Sequence, residues 1–288
     1  MQINSWNCRG LGNSSKAEAV NFLLKMAPFE ILLLQETKID GEAILIIGKN
    51  KWNFNTGKSV SARGSSWGIA TLWHEENFQL INWFSTQHWI FTKLYHFSSK
   101  STYSLFNLYV PVNNLEKKEC WLSLSDFLVS KSLANIIIAS NLNITLALNE
   151  KKGGIHGKDH MQGSIEELIQ LWELINLKPK TRHFMWSNQR VGCASIFARL
   201  DRFLVQSSLL DGNQIISSKI LPKLWSDHHP IALIFEKEEQ LGPIPFHFCP
   251  LWIERDGFME TVKQDWTQSV HGSPSYVWEQ KLKQTKIM

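Results

Sequence analysis

The four cysteines, Cys8, Cys120, Cys193 and Cys249, include no C-x-x-C pair. Isolated thiols argue against a structural zinc site and for a reducing compartment. Long apolar stretches are also missing. Runs such as those at 31–34 and 136–139 fall far short of the roughly 20 residues a membrane helix needs. No secretory leader opens the chain: residues 1–6 alternate and lead straight into Asn7. An intracellular protein with no membrane partner is expected. Charge is sparse, at 19% of residues with a net +4. That balance permits nucleic-acid binding without demonstrating it. No repeat of fixed period is present. Gly10-Leu11-Gly12 begins like a dinucleotide loop, but Ser15 stands where the third glycine belongs, and the Walker lysine context is missing. His88, His96, His156 and His160 share no metal-ligand spacing.

What remains is an apolar chain of 288 residues, 43% hydrophobic, with 13 tryptophans. It is long enough for one large domain, or for a domain with an appendage. The pair Ser15 and Glu18 predicts a capping box, followed by a helix with Val20, Leu23, Leu24 and Ala27 on one face and Pro28 as its end. Strands are predicted at 31–34, 69–73, 89–94, 103–109, 136–139, 184–186, 203–205 and 231–235. Two more helices are expected. One covers about 116–131, burying Trp121, Leu124, Phe127 and Leu128. The other covers about 164–175, burying Ile165, Leu168, Ile169, Trp172 and Leu174. Trp67, Trp73, Trp83 and Trp89 are expected mostly in the core, with one or two free to stack on bases.

Many strands with few helices predict an α/β domain over 1–236, with two packed, mostly antiparallel sheets flanked by helices. A charged run and Gly242-Pro243-Ile244-Pro245 mark a linker at 237–245. Residues 246–288 are expected to be a partly helical tail, with Phe258, Val262 and Trp266, then Trp278 and Leu282, at helical spacing.

Six short polar cassettes lie close to the apolar runs. They are Trp6-Asn7, Gln35-Glu36-Thr37, Asn107-Leu108-Tyr109, Asn141-Leu142-Asn143, Arg199-Leu200-Asp201-Arg202 and Ser226-Asp227-His228. Hydrolysis of a phosphodiester needs a metal on the phosphate oxygens, an oriented water and donors for the developing charge. Carboxylates and carbonyl oxygens suit Mg²⁺. Glu36, after a predicted strand, is a candidate ligand or a plain loop carboxylate. Asn7 is a candidate for holding a metal water or a phosphate, or a turn former. His228 and Asp201 are a candidate imidazole–carboxylate pair. Arg199 and Arg202 are candidates for phosphate contact or for surface ion pairs.

Taken together, the cassettes resemble the endonuclease/exonuclease/phosphatase superfamily. Within it the chain is similar to the endonuclease domain of plant LINE-type retrotransposons. Ser5-Trp6-Asn7-Cys8-Arg9-Gly10-Leu11-Gly12, Leu34-Gln35-Glu36-Thr37-Lys38, Lys152-Gly153-Gly154, Trp186-Ser187-Asn188 and the remaining cassettes carry that resemblance. Gly242-Pro243-Ile244-Pro245-Phe246 resembles the join to a reverse transcriptase, so the chain looks truncated before one. The resemblance implies a four-layer sandwich acting on DNA with Mg²⁺ (or Mn²⁺), in the nucleus or cytoplasm, with no stable protein partner. It implies Glu36, Asn7 and Asp227 on the metal side. Tyr109 and Asn143 would contact the phosphate, and His228 would be acid/base, oriented by Asp201. Arg9, Arg199 and Arg202 would contact phosphate or DNA. The family reads Gly-Asp-x-Asn where this chain has Ser140-Asn141-Leu142-Asn143. The missing aspartate is the one associated with the attacking water, so Asn141 implies impairment. Ser140, Val110 and Trp67 also stand where relatives carry glycine. The alternatives are a catalytically dead relic that keeps weak nucleic-acid binding, or a phosphatase or lipid phosphoesterase on the same fold.

Overall fold

The computed structural model describes residues 1–26, 29–62, 67–155, 157, 159–179, 184–211, 214–237 and 257–286. It divides into two units, Met1–Glu238 and Glu239–Met288.

The first unit is built on two six-stranded sheets. One has the order β14(Gln214–Ile220), β15(Ile231–Lys237), β1(Gln2–Asn7), β2(Ile31–Gln35), β4(Ile69–Trp73), β3(Thr56–Val60). The other has the order β10(Leu174–Leu177), β13(Asp201–Gln206), β8(Ile136–Asn141), β7(Ser101–Tyr109), β6(Trp89–His96), β5(Phe78–Ser85). Each has one parallel pair at its centre, β1 with β2 and β7 with β8, and antiparallel partners outside. Central strands covered on both faces should be continuous apolar runs. β2 reads ILLLQ and is buried throughout, as is β8, IIIASN. Three short strands, β9(Lys151–Lys152), β11(Trp186–Ser187) and β12(Phe197–Ala198), form a third sheet.

The core has layers. Ile3, Leu33, Leu105, Ile137, Phe203 and Leu233 fill the space between the large sheets. Helices α1(Ser14–Met26) and α2(Gly41–Trp52) cover the first sheet through Val20, Leu23, Ile44 and Trp52. Helices α3(Asn114–Val129) and α4(Gln162–Leu171) cover the second through Trp121, Leu124, Ile165 and Leu168. This is the expected four-layer arrangement.

Several local expectations change. Helix α1 begins at Ser14, and the Asn13 side chain accepts the Ser15 N–H, so Ser15 lies inside the helix rather than capping it. Ala27 and Pro28 lie outside the described residues. Helix α4 stops at Leu171, because Glu173 turns into the left-handed region at φ 50°. Leu174 is buried from a strand instead. Helix α2 was not predicted; Asp40 caps it by accepting the Glu42 and Ala43 N–H groups.

In the second unit, α5(Phe258–Trp266) and α6(Pro274–Lys286) form a helical pair in which the Lys281 ammonium stands 5.8 Å over the Trp266 ring. The linker at 237–245 lies, after its first residue, outside the described residues. No helix among the described residues is long and apolar enough to cross a membrane.

Candidate active site

Ligands in α/β sheets gather beyond the carboxyl ends of parallel strands. Here both parallel pairs end in polar residues. β1 ends at Asn7, in register with Gln35 on β2, and Glu36 follows. Tyr109 at the end of β7 is in register with Asn141 on β8, and Asn141 with Asp201 on β13. A buried polar bridge ties the two ends together. Gln35 donates to Ser5 Oγ at 3.0 Å and to Asn107 Oδ1 at 2.6 Å, and Asn107 donates to the Ala70 carbonyl at 2.8 Å. This explains the Asn107 cassette: its asparagine aligns the sheets, while its tyrosine reaches the site.

Glu36 sits in a loop clamped from both sides. The Gly10 and Leu11 N–H groups donate to the Glu36 and Thr37 carbonyls at 2.7 and 2.8 Å, and the Thr37 and Lys38 N–H groups donate to Gly68 and Trp67 at 3.0 and 2.8 Å. Gly68 lies at φ 86°, and a Cβ there would meet Thr37 Oγ1 at 2.3 Å, so only glycine fits. The Glu36 carboxylate is 13% exposed, accepts from Asn7 Nδ2 at 2.8 Å, and has the Lys38 ammonium 3.8 Å away. The Tyr109 hydroxyl faces Glu36 and Asn143; burial, then the Glu36 charge, pushes its pKa up. It is a proton-bearing donor at any working pH. Cys8 is inert, its thiol pushed up to about 12 by burial.

The Ser226-Asp227-His228 turn closes the opposite wall. Ser226 Oγ donates to the Asn7 carbonyl at 2.8 Å and accepts the His228 N–H at 3.1 Å. Asp227 Oδ2 accepts the Trp186 indole N–H at 2.8 Å and pairs with the Arg9 guanidinium, which is half exposed. Burial alone would raise the Asp227 pKa, but His228, the Trp186 bond and Arg9 bring it below the usual carboxylate range. His228 Nδ1 meets Asp201 Oδ2 at 2.7 Å. The carboxylate fixes Nδ1 as the protonated nitrogen and leaves Nε2 for chemistry. Burial disfavours the imidazolium, yet Asp201, with Asp227 and Glu36, outweighs it and holds the His228 pKa above its ordinary value. Stability drawn from that pair is complete below the ordinary histidine pKa and is lost as pH rises through the folded one. Asp201→Asn removes the largest opposing charge, so burial should prevail and the His228 pKa should fall. An NMR titration of the ring protons reads this directly; an unmoved His228 would contradict the pairing.

Asn141 is fully buried. Its Oδ1 accepts the Asn143 N–H at 3.0 Å, and its Nδ2 has no partner among the described residues. Asn143, in the left-handed region at φ 49°, donates its amide to the Val110 carbonyl at 2.6 Å. An orphaned amide donor is costly. A carboxylate at 141 would keep the Asn143 bond and turn a free oxygen where the orphan now points.

Arg199 and Arg202 have another task. Both are buried, and both bind Glu150: Arg199 at 2.8 Å, Arg202 at 3.1 and 3.3 Å. Their terminal nitrogens are spent on Glu150, Asn176 and backbone carbonyls, and both Nε groups have no partner among the described residues. Trp186 is the residue that sequence reasoning passed over; its motif was noted without a role. An indole N–H in a partly buried position needs an acceptor, and Asp227 provides it. Ser140 and Val110 are buried, and neither appears among the residues with positive φ, so their larger side chains cause no backbone strain. Trp67 does, at φ 74°.

The candidate donors are oxygens: the Glu36 and Asp227 carboxylates and the Asn7 amide. Mg²⁺ keeps several waters and takes one or two carboxylates along with substrate phosphate. The donor set therefore fits that ion, although no group of three His, Cys, Asp or Glu poised as a metal cage occurs among the described residues.

The two-sheet architecture is shared with several solved structures. The chain is similar to the 3′ phosphatase NExo from Neisseria bound to product DNA hairpin, at 18% identity and TM-score 0.62, over 82% of this chain and 99% of that one. It is similar to an endonuclease/exonuclease/phosphatase family protein from Bacteroides thetaiotaomicron, at 13% identity and TM-score 0.57, over 81% and 96%. It is also similar to the AP endonuclease LMAP from Leishmania major, at 17% identity and TM-score 0.58, over 83% and 88%. At these identities the likeness fixes the fold. No protein-family model and no curated protein matches the sequence.

Proposed function

We propose that the chain is a divalent-metal phosphodiester hydrolase acting on DNA, of LINE-type retrotransposon origin, and that Asn141 impairs it. The observation that carries this is the convergence of Asn7, Glu36, Tyr109, Asn141, Asn143, Asp201, Asp227 and His228 at one end of the sandwich. The Neisseria and Leishmania neighbours are a phosphatase with a DNA product and an AP endonuclease, which supports DNA phosphoesters as the substrate class. The retrotransposon reading rests on the cassettes and the Gly242-Pro243-Ile244-Pro245 join.

Glu36, with Asp227 and Asn7, would hold Mg²⁺, which would neutralise phosphate charge and polarise the attacked phosphorus. Asn7 donates to Glu36 and fixes its carboxylate. The Tyr109 hydroxyl and the Asn143 amide offer donors to a phosphate oxygen. His228 Nε2 holds or gives a proton at the phosphate, and Asp201 keeps the ring oriented and charged. No carboxylate stands at 141 to take the proton from a water, which favours a dead relic as the second reading.

Incubation with supercoiled plasmid and Mg²⁺ tests the first reading. Nicking that disappears with EDTA, and falls at least about 10²-fold in Glu36→Ala, is expected of a metal ligand. Nicking that survives Glu36→Ala would remove Glu36 from the site. No nicking by the unmodified chain, even at high Mg²⁺, would favour the relic.

A further inference from the structure

Two of the four tryptophans weighed as base-stacking candidates, Trp73 and Trp89, are fully buried. Of the other two, Trp67 packs by Tyr109, and Trp83 lies on edge strand β5. Trp67 packs with Val60, Ile69, Ile90 and Tyr109, and its ring centroid is 4.8 Å from that of His88. Trp83 is 42% exposed and Phe84 48% exposed, adjacent on edge strand β5. A bulge lies between Leu80 and Asn82; beyond it the pairing is regular, so Trp83 and Phe84 leave the strand on opposite faces, and Phe84 stacks on Phe127 at 5.2 Å.

The register sets Trp83 opposite Thr92, which is itself opposite Leu105, four residues before Tyr109. Ser85 pairs with Ile90 on β6, and Trp89 pairs with Leu108, one residue before Tyr109. On the other sheet, Val60 pairs with Ile69, whose partner on β2 is Gln35, next to Glu36. Lys58, two residues before Val60, holds its ammonium 4.4 Å from the Trp83 ring centroid. A groove of about 330 Å³ runs on from there, lined by Trp83, Phe84, Lys93, Phe127 and Lys131 among others, and no carboxylate lines it.

Edge strands are normally blunted by charge, proline, bulges or a covering element, not lined with exposed rings. Exposed rings and lysines in a groove that no described carboxylate lines fit a chain of negative charges that carries flat apolar faces. We propose that this edge is a binding strip for a single strand of nucleic acid leading away from the reacting phosphate. Trp83 stacks a base, the exposed rim of Phe84 lies alongside, and Lys58, Lys93 and Lys131 face phosphates. Stacking accepts any base and lysines meet any phosphate, so the strip adds affinity without sequence preference. The direction of the strand toward Tyr109 rests on the hydrolase reading; binding to the strip does not.

The test is fluorescence anisotropy of a labelled single-stranded oligonucleotide with the full chain in EDTA, where nothing is cleaved. Trp83→Ala should weaken binding by about 5- to 150-fold, the effect of one stacked base. Trp83→Phe, which keeps a ring, should recover most of it. Lys58→Glu with Lys131→Glu should flatten the dependence of affinity on salt, by a slope of about 0.7 per lost phosphate contact. Equal affinity for chain and Trp83→Ala, with an unchanged thermal melt, would overturn the strip and leave the hydrolase reading intact. Loss of nicking with retained, Trp83-dependent binding would do the reverse. If sedimentation shows a dimer that Trp83→Ala dissolves while oligonucleotide affinity is unmoved, the edge serves a second copy of the chain and the proposal fails.

Discussion

Replacing Asn141 with aspartate is expected to raise Mg²⁺-dependent nicking by about 10²–10⁴-fold, the usual worth of a positioned general base. The substitution is nearly isosteric, and the site is prepared for it. Asn141 ends β8 between Tyr109 and Asp201, fully buried, with its Oδ1 on the Asn143 N–H and its Nδ2 unpartnered. Aspartate keeps the one bond the side chain makes and removes the one donor it leaves unsatisfied. It also adds an oxygen ligand where a hard cation and its waters would gather. The gain should appear in kcat, because the new group acts on a proton that moves only during reaction. The comparison should use saturating substrate, with EDTA as the blank. An unchanged rate would mean that the water is oriented by another residue or that the site hydrolyses nothing; nicking by Asn141→Asp with Glu36→Ala added would exclude Glu36 as the ligand.

The same cassette shows how far sequence reaches. Strand β4 was legible residue for residue, because a short run of apolar and β-branched residues buried on both faces leaves no other reading. The candidate residues near strand ends were legible too, since polar groups beside apolar runs have few places to go. Helix α2 was not. Its residues 43–47 are all apolar, and Ile46 is exposed at 58%, so no single face announced itself. The end of α4 depended on Glu173 accepting a left-handed backbone, which its side chain does not advertise. Trp186 was recognised as part of a motif, but its partner Asp227 lies 41 residues away. The buried setting of the two arginines beside Asp201 was hidden for the same reason. Their acceptor is Glu150, about fifty residues upstream, and nothing near Arg199 in the sequence points to it.

That acceptor carries the second large effect. Glu150→Ala is expected to destabilise the fold by about 3–5 kcal/mol, the cost of leaving buried charge uncompensated. Glu150 is 5% exposed. Its two oxygens take the Arg199 and Arg202 guanidiniums and, at 2.7 Å, the Leu146 N–H. Arg199 also reaches Asn176 at 2.7 Å, and Arg202 reaches the Arg199 and Ile144 carbonyls at 2.7 and 3.3 Å. One carboxylate thus joins β10, the turn holding Asp201, and the loop that follows Asn143. Burial lowers the pKa of both arginines by more than Glu150 restores, so the cluster is costly to assemble as well as costly to break. Both guanidiniums remain charged at any working pH. For Glu150, burial pulls the pKa up, but Arg202, the Leu146 N–H and Arg199 carry it below the usual value. A depressed carboxylate contributes its stability above the unfolded pKa of about 4.3 and loses it as pH falls through the folded value. The unmodified chain should therefore lose stability on that acid limb, and the gap to Glu150→Ala should narrow there. Urea unfolding at pH 7 and at pH 3 measures both; the shift should lie in the midpoint and not in the slope. Glu150→Gln, which keeps two hydrogen-bonding atoms and loses the charge, should fall between the two. A difference below about 1 kcal/mol for Glu150→Ala would mean that water replaces the carboxylate and that the cluster does not hold the Asp201 turn.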